Sequence, residues 1–216
     1  MTVTGVHGHP DWPTAAAYLP AETDLSHLRA AAADCRGCPL WEPATQTVFG
    51  RGLAGARMVL VGEQPGDVED KEGKPFVGPA GRLLIKALAD AGIDKTSVYV
   101  TNAVKHFRFT PTPKRRIHAT PDAAHVEACK PWLTAELRRI NPELVVLLGA
   151  TAIRAVLGTS VKVTRDRGAI LERETSLGTK RFLVTTHPSA VLRADDRDAA
   201  YAALVSDLTV AAKALG

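Results

Sequence analysis

Four short apolar segments, enriched in β-branched residues, constrain the fold of this chain most strongly. They lie at residues 58–61, 98–101, 144–148 and 182–185. Because apolar and polar residues do not alternate in them, they are typical of strands buried on both faces of a parallel sheet. Helical patterns follow the four segments in turn, at residues 79–91, 121–140, 150–157 and 197–215. The alternation predicts an α/β fold, a three-layer α/β/α sandwich around a central, mainly parallel four-stranded sheet.

The domain organisation follows from length and composition. A chain of 216 residues with 45 % apolar and 23 % charged residues can bury a sizeable core, which excludes wholesale disorder. Residues 1–22 are rich in Pro, Gly, Ala and Thr and are predicted to form a loosely ordered arm, so we assign residues 23–216 to a single domain. A first helix is expected after Asp24, and Pro131 should kink or divide the helical segment 121–140.

The sequence gives no sign of membrane attachment. No apolar segment approaches the roughly 20 residues that a membrane-spanning helix needs. Residues 1–20 contain no basic segment followed by an apolar stretch, so we expect no signal peptide and a cytoplasmic location.

Polar side chains follow three of the four predicted strands. Glu63, Gln64 and Asp67 come after the first strand, Asn102 after the second and His187 after the fourth. Ligands of open parallel sheets bind at the carboxyl ends of the strands, so these side chains should converge on one edge. Taken alone, residues 62–67 are equally well explained as an ordinary strand-to-helix turn with exposed acidic residues.

A glycine-spaced loop at residues 73–81 carries one aromatic side chain, Phe76. Such a loop lets the backbone approach a ligand closely while the ring offers a flat face. A plain core position is the alternative for Phe76.

The positive charge of the chain is local. The net charge is +4, and residues 105–118 alone carry five basic residues and no acid: Lys105, Arg108, Lys114, Arg115 and Arg116. Phe107 and Phe109 interleave with them, and the combination favours docking to a polyanion over a merely solvated surface. Each phosphate contact would make binding weaken steeply with salt. Arg193, shortly after His187, is expected to hold a phosphate or to fill the gap left by an extruded base; a plain surface arginine is the alternative.

The three cysteines indicate a metal site. An odd number of cysteines in a chain expected to be intracellular argues against a disulfide framework. Cys35 and Cys38 have the C-x2-C spacing of metal ligands, and the third cysteine is Cys129.

Two motifs resemble the uracil-DNA glycosylase superfamily, in its family 4 iron–sulfur branch. Residues 62–81 are similar to the first motif of that branch, and residues 187–189, His-Pro-Ser, match the second. The chain further resembles the UdgX subgroup, since Gln64 replaces a small residue and residues 114–118, Lys-Arg-Arg-Ile-His, match an inserted loop. The resemblance covers the chain from about Cys35 to its end.

The resemblance implies a cofactor. Family 4 has a fourth cysteine where this chain has His106, so Cys35, Cys38, His106 and Cys129 are expected to hold a [4Fe–4S] cluster in a structural role. A Cys3His zinc site would use the same ligands, and a fourth ligand other than His106 also stays open.

The resemblance also implies a mechanism for uracil excision from DNA. A uracil nucleotide would flip into the pocket, where Phe76 stacks on the base and Asn102 reads its O4 and N3–H. His187 would donate a hydrogen bond to O2 of the departing base, while Glu63 stabilises the sugar cation. The backbone around Gln64 and Asp67 would shape the rest of the pocket.

The subgroup resemblance adds a role for His118. It implies that the imidazole bonds to C1′ of the abasic deoxyribose and stays attached, which makes the enzyme single-turnover. A conventional family 4 glycosylase with hydrolytic turnover is the alternative, and a non-catalytic iron–sulfur protein that binds nucleic acid is another. In each case we expect the partner to be DNA, including single strands, and the protein to be a monomer.

Overall fold

The structure is a computed structural model that describes residues 12–216; residues 1–11, half of the predicted arm, lie outside the described residues. The strands are β1 Arg51–Gly52, β2 Met58–Gly62, β3 Val98–Asn102, β4 Phe109–Pro111, β5 Arg116–His118, β6 Leu144–Leu148, β7 Ile170–Thr175 and β8 Gly178–Thr185. The α-helices are α1 Leu25–Ala33, α2 Asp67–Glu72, α3 Pro79–Asp90, α4 Ala123–Ile140, α5 Ala150–Leu157, α6 Val163–Asp166, α7 Pro188–Leu192 and α8 Arg197–Leu215.

The central sheet is mainly parallel, as predicted, but it has six strands where four were expected. Its order is β1-β3-β2-β6-β8-β7. The four predicted strands form the parallel centre, and β1 and β7 add antiparallel edges. The edge strands carry no buried apolar run, since β1 is exposed and β7 is half-buried or exposed, so the pattern that revealed the central strands is missing from them.

Alternate residues of the central strands face two separate apolar layers. Val59, Val145 and Phe182 pack with α1, α4 and α5 on one side, whereas Leu60 and Val146 pack with α3, α7 and α8 on the other. This confirms the three-layer architecture. No helix within residues 12–216 has the length and apolar character that crossing a bilayer requires.

One expectation about local structure differs from the observed fold. Helix α4 runs unbroken through Pro131, so the expected division of that segment is wrong. Within the described part of the predicted arm, Ala15–Tyr18 forms a 3-10 helix whose Ala15 is buried. The ring of Trp12 lies 5.0 Å from the ring of His125 on α4, and this contact ties the segment to the domain.

A buried ion pair joins the sheet to α4. The ammonium of Lys105 contacts the carboxylate of Glu136, and both side chains are essentially inaccessible to solvent. Lys105 also donates hydrogen bonds to Thr101 Oγ1 (2.7 Å) and to the backbone oxygen of Asn102 (2.8 Å). The prediction that Lys105 contacts DNA is therefore wrong, because its charge is neutralised inside the protein.

We expect Lys105→Met to lower the free energy of unfolding by about 3–5 kcal/mol, because it leaves the Glu136 carboxylate buried without its counter-charge. Replacing both partners, as Lys105→Met with Glu136→Leu, should recover only part of that loss, because Glu136 also accepts from Tyr99 Oη (2.8 Å) and from the Gly50 N–H (3.1 Å). Lys114→Met is the matched control, since Lys114 is exposed, and it should change stability by less than about 0.5 kcal/mol. Urea denaturation checks all three variants, and equal stability of the two single variants would contradict the assignment.

Candidate active site

A cavity lies at the edge of the sheet where the site residues were predicted to converge. Its volume is about 860 Å³, and it is open to solvent on one side. The strand ends, the loop before α3, the β4–β5 hairpin and α7 all contribute to its wall. The predicted site residues that line it are Glu63, Gln64, Asp67, Phe76, Asn102, His118, His187 and Arg193.

Two glycines seat Phe76 in the wall of this cavity. Phe76 has a φ of 56°, a region that costs energy for a bulky residue and is found mostly where a site over-determines the backbone. A Cβ on Gly81 would lie 2.1 Å from the carbonyl carbon of Phe76, and one on Gly62 would lie 2.7 Å from its ring. Gly62 and Gly81 therefore leave the space that close packing around the ring and backbone of Phe76 requires.

Asn102 ends β3 beside Gly62, its partner in the parallel ladder. A Cβ on Gly62 would lie 2.4 Å from Asn102 Oδ1, so the missing side chain makes room for the amide. The buried ammonium of Lys105 donates a hydrogen bond to the backbone oxygen of Asn102. The side-chain amide lines the cavity and, within the described residues, makes no hydrogen bond to protein, which leaves a donor and an acceptor for a ligand.

Hydrogen bonds fix the tautomer of His187. Its Nδ1 accepts from the backbone N–H of Ser189 at 3.1 Å and lies 2.8 Å from Ser189 Oγ. Burial lowers the pKa of His187 to about 4, and the charges of His118 and Arg193 act in the same direction. The ring is therefore neutral near pH 7 with its proton on Nε2, which makes it a hydrogen-bond donor.

Glu63 is held by a residue to which the sequence analysis gave no role. Thr151 Oγ1, at the start of α5, donates to Glu63 Oε2 at 2.6 Å. The other carboxylate oxygen, Oε1, lies 3.5 Å from His118 Nε2. Thr151 follows the third parallel strand, so its place at the strand ends was the signal that could have identified it.

The side chain of Gln64, and not only its backbone, takes part in the wall of the cavity through hydrogen bonds. Gln64 Oε1 accepts from the N–H of Arg108 at 3.0 Å, and Nε2 donates to the oxygens of Arg108 and Ala119 at 3.1 Å. These two oxygens use both hydrogens of Nε2, which lies 3.0 Å from His118 Nε2 and cannot accept. The contact with His118 therefore adds no third full hydrogen bond, and it is more favourable when His118 Nε2 carries its lone pair.

The electrostatic surroundings agree with a neutral His118. Burial lowers the pKa of His118, Glu63 raises it and Arg193 lowers it again. The lowered pKa leaves the imidazole unprotonated near pH 7. A ring nitrogen with a free lone pair thus lies at the rim of the cavity, next to a carboxylate.

The basic segment is less available for DNA than its composition suggests. Arg116 Nε donates to Asp67 Oδ1 at 2.6 Å, and its Nη1 donates to Asp70 Oδ2 at 2.7 Å, so its charge is used to anchor the hairpin. Arg108 Nη1 donates to Asp122 Oδ1 at 2.6 Å. This pairing leaves Arg116 less free to meet a phosphate, and its contact with DNA stays a prediction, as do those of the exposed residues Lys114 and Arg115.

The three cysteines are buried, unpaired and close to one another. The backbone N–H of Lys105 donates to Cys129 Sγ at 3.3 Å, and Cys35 and Cys38 both add to the raised pKa of Cys129. Three thiolates are one short of the four that usually hold an iron–sulfur cluster. These residues therefore fit a cluster only if another side chain completes the set.

His106 has the tautomer of a metal ligand. Thr47 Oγ1 donates its proton to the oxygen of Ala32 at 2.8 Å, so it must accept from His106 Nε2, which lies 2.8 Å away. Burial lowers the pKa of His106 to about 4, so the ring is neutral. The lone pair then lies on Nδ1, and the Thr47 bond fixes the ring as outer partners of metal-bound histidines do.

The chain was compared with known proteins. A profile of the uracil DNA glycosylase superfamily matches residues 49–209. The chain is 41 % identical over 160 residues to a type-4 uracil-DNA glycosylase of Thermotoga maritima, covering 74 % of this chain and 78 % of the relative. It is 34 % identical over 174 residues to the type-4 enzyme of Pyrobaculum aerophilum (79 % and 85 % covered) and 35 % identical over 162 residues to that of Archaeoglobus fulgidus (73 % and 78 %). The chain belongs to the uracil DNA glycosylase superfamily.

Proposed function

We propose that this protein is a uracil-DNA glycosylase that removes uracil from DNA by hydrolysis of the N-glycosidic bond. The observation that carries the proposal is the meeting of Phe76, Asn102, His187 and Glu63 in one cavity, each in a form suited to this reaction. The type-4 relatives bear the same activity in their names. They support hydrolytic turnover better than a permanent attachment to DNA.

Base recognition would use the floor of the cavity. A glycosylase must first turn the nucleotide out of the base stack. The ring of Phe76 offers a stacking face, and the free amide of Asn102 can donate to uracil O4 and accept from N3–H. Cytosine presents an amino group and an unprotonated N3 at these positions, so the same amide would face two mismatched groups.

The chemical step would depend on His187 and Glu63. As the C1′–N1 bond breaks, its electron pair leaves with the base, and His187 Nε2–H stabilises the negative charge on O2. The deoxyribose becomes cationic, and the Glu63 carboxylate, oriented by Thr151, stabilises it. Water then bonds to C1′ and loses a proton to the surrounding solvent.

We expect Asn102→Leu to lower kcat/KM for uracil excision by about 10²- to 10³-fold, because the leucine has similar volume but no group to pair with uracil. The measurement uses a single-stranded oligonucleotide with one uracil, followed by alkaline cleavage at the abasic site. Binding to the same oligonucleotide with thymine in place of uracil is the control and should not change. Wild-type excision by a folded Asn102→Leu protein would contradict the proposal.

A second candidate is a covalent product, and a specific observation favours it. His118 Nε2 carries a lone pair at the rim of the cavity, 3.5 Å from Glu63 Oε1. After uracil departs with the bonding electrons, Nε2 would bond to C1′ in place of water, and the Nδ1 proton would pass to solvent. Imidazole is a poorer leaving group than uracil, so the bond would persist, and the protein would then fall in the UdgX subgroup.

A denaturing gel separates the two candidates. Excess protein is mixed with a labelled uracil oligonucleotide and heated in SDS. Covalent attachment predicts a shifted band for wild-type protein that disappears in His118→Ala, whereas His27→Ala, at an exposed histidine of α1, keeps it. Free oligonucleotide with an abasic site would reject attachment, and several turnovers per protein in a second reaction with the oligonucleotide in excess would support hydrolysis.

We also propose that Cys35, Cys38, Cys129 and His106 hold a [4Fe–4S] cluster. The three thiols are buried and unpaired, and His106 offers a neutral ring nitrogen as the fourth ligand. Trp132 Nε1 is buried without an acceptor, one helical turn from Cys129 on α4. A sulfur atom of a cluster bound there would accept a hydrogen bond from this N–H. The cluster would supply a cross-link between the segment after α1, the loop after β3 and helix α4.

His106 is the residue to test for this assignment. We expect purified wild-type protein to contain iron and to absorb near 400 nm, about the region typical of thiolate-bound clusters. His106→Ala should lose most of the iron, while His106→Cys should keep it, because a thiolate restores the usual set. Zinc in place of iron, or full iron retention by His106→Ala, would reject the assignment.

A further inference from the structure

We propose that a groove along helix α4 binds an acidic, extended peptide segment of a partner protein, with an apolar side chain of that segment inserted into the groove. The groove lies between α4 and residues 19–23, the segment that follows the 3-10 helix Ala15–Tyr18. Its volume is about 640 Å³. It shares no lining residue with the cavity of the candidate active site, so the proposal does not depend on uracil excision.

The wall of the groove is more apolar than polar. Pro20, Pro131 and Ala135 line it together with Leu19, which is 39 % exposed. Leu19 belongs to neither apolar core cluster of the described residues. Covering such a side chain removes apolar surface from water, so the groove suits an apolar side chain of a partner.

Pro131 leaves a backbone acceptor at the groove. Proline has no N–H, so the carbonyl oxygen of Glu127, four residues earlier in α4, lacks its usual helical donor. Both residues line the groove. The carbonyl oxygen can accept a hydrogen bond from a backbone N–H of a bound peptide, whereas a phosphodiester backbone has no such donor. This acceptor favours a peptide over a nucleic-acid strand as the occupant.

The charge of the groove is positive. Lys130, Arg138 and Arg139 line it against one acid, Glu127, whose carboxylate lies 3.5 Å from the Lys130 ammonium. Arg138 donates one N–H to the neutral backbone oxygen of Ser176 at 3.4 Å, and Arg139 has no ion pair within residues 12–216. Both arginines are exposed and keep their charge, so carboxylates of a peptide would complement them.

The acids nearest to the groove in sequence are engaged elsewhere. Glu22 and Asp24 flank the lining residue Thr23, but neither of them lines the groove. Glu22 Oε2 lies 3.2 Å from His27 Nε2, and Asp24 Oδ1 accepts from the N–H of Ser26 at 2.9 Å at the start of α1. They therefore leave the two groove arginines without a counter-charge.

The groove and the cavity can be occupied at the same time. Thr120, which lines the cavity, lies just before α4, whereas Arg138 and Arg139 lie in the last turn of that helix. With a rise of 1.5 Å per residue, the helix separates the two places by about 25 Å. A partner bound at the arginines would therefore tether the protein and leave the cavity accessible.

The experiment measures peptide binding by fluorescence anisotropy. The probes are fluorescein-labelled peptides with two leucines followed by three glutamates, in a small panel that varies the spacing between them. We expect Arg138→Glu with Arg139→Glu to weaken binding at least about tenfold, and Leu19→Ser to weaken it about fivefold. Arg154→Glu is the matched control, because Arg154 is an exposed arginine in the last turn of another helix, α5, and it should change binding less than about twofold.

An exchange of charges distinguishes a lost contact from a lost fold. The double variant Arg138→Glu with Arg139→Glu should bind peptides in which lysines replace the glutamates, which requires an intact groove. No binding of any acidic peptide to wild-type protein, or equal binding by wild type and the double variant, would overturn the proposal. A single-stranded oligonucleotide without uracil is the last probe. If it binds through the two arginines while no acidic peptide does, the groove is a nucleic-acid surface and the peptide proposal is wrong.

Discussion

The buried residue Lys105 connects the floor of the cavity with the cysteine region. Its ammonium is neutralised by Glu136 on α4 and holds the backbone oxygen of Asn102 at the floor of the cavity. Its backbone N–H donates to Cys129. Separating a buried charge from its partner costs several kcal/mol of folding free energy. The end of β3 and the cysteine region are therefore held in a fixed position relative to each other. A metal centre at the cysteines would stiffen the pocket through this residue without taking part in the reaction.

Neutral histidines are the second requirement of the site. Burial is the first cause of the lowered pKa of both His118 and His187, and Arg193 reinforces it in each case. In the proposed reaction, a neutral His187 would stabilise charge that appears on the base only as the bond breaks, whereas a charged ring would also bind the ground state. The same neutrality gives His118 its lone pair. Protonation of His118 at acid pH would remove that lone pair, so any nucleophilic role belongs to the pH range above its pKa.

The parts of the fold that were predictable are those whose signal is local. Each central strand is apolar on both faces, and Glu63, Asn102 and His187 each lie at or just after the end of one, so the edge that gathers them could be inferred from chain order alone. The role of Lys105 could not, because its partner Glu136 is 31 residues away and nothing near Lys105 marks it as buried. The same limit hid the bonds from Gln64 to Arg108, which depend on how the hairpin folds back. The number of basic residues in a segment is therefore only an upper limit on the positive charge that the folded protein exposes to a partner.

The register of the β4–β5 hairpin decides which residue does what. Because side chains alternate, a slip of one residue would turn His118 to solvent and Ile117 to the cavity. The register is fixed by pairing of Phe109 with His118 and by Arg116, whose ion pairs to Asp67 and Asp70 are possible only from the inner face. Arg116 therefore sets the orientation of both its neighbours along the strand. A short hairpin with few ladder bonds can hold His118 toward the cavity because the ion pairs of Arg116 supply the specificity that the ladder lacks.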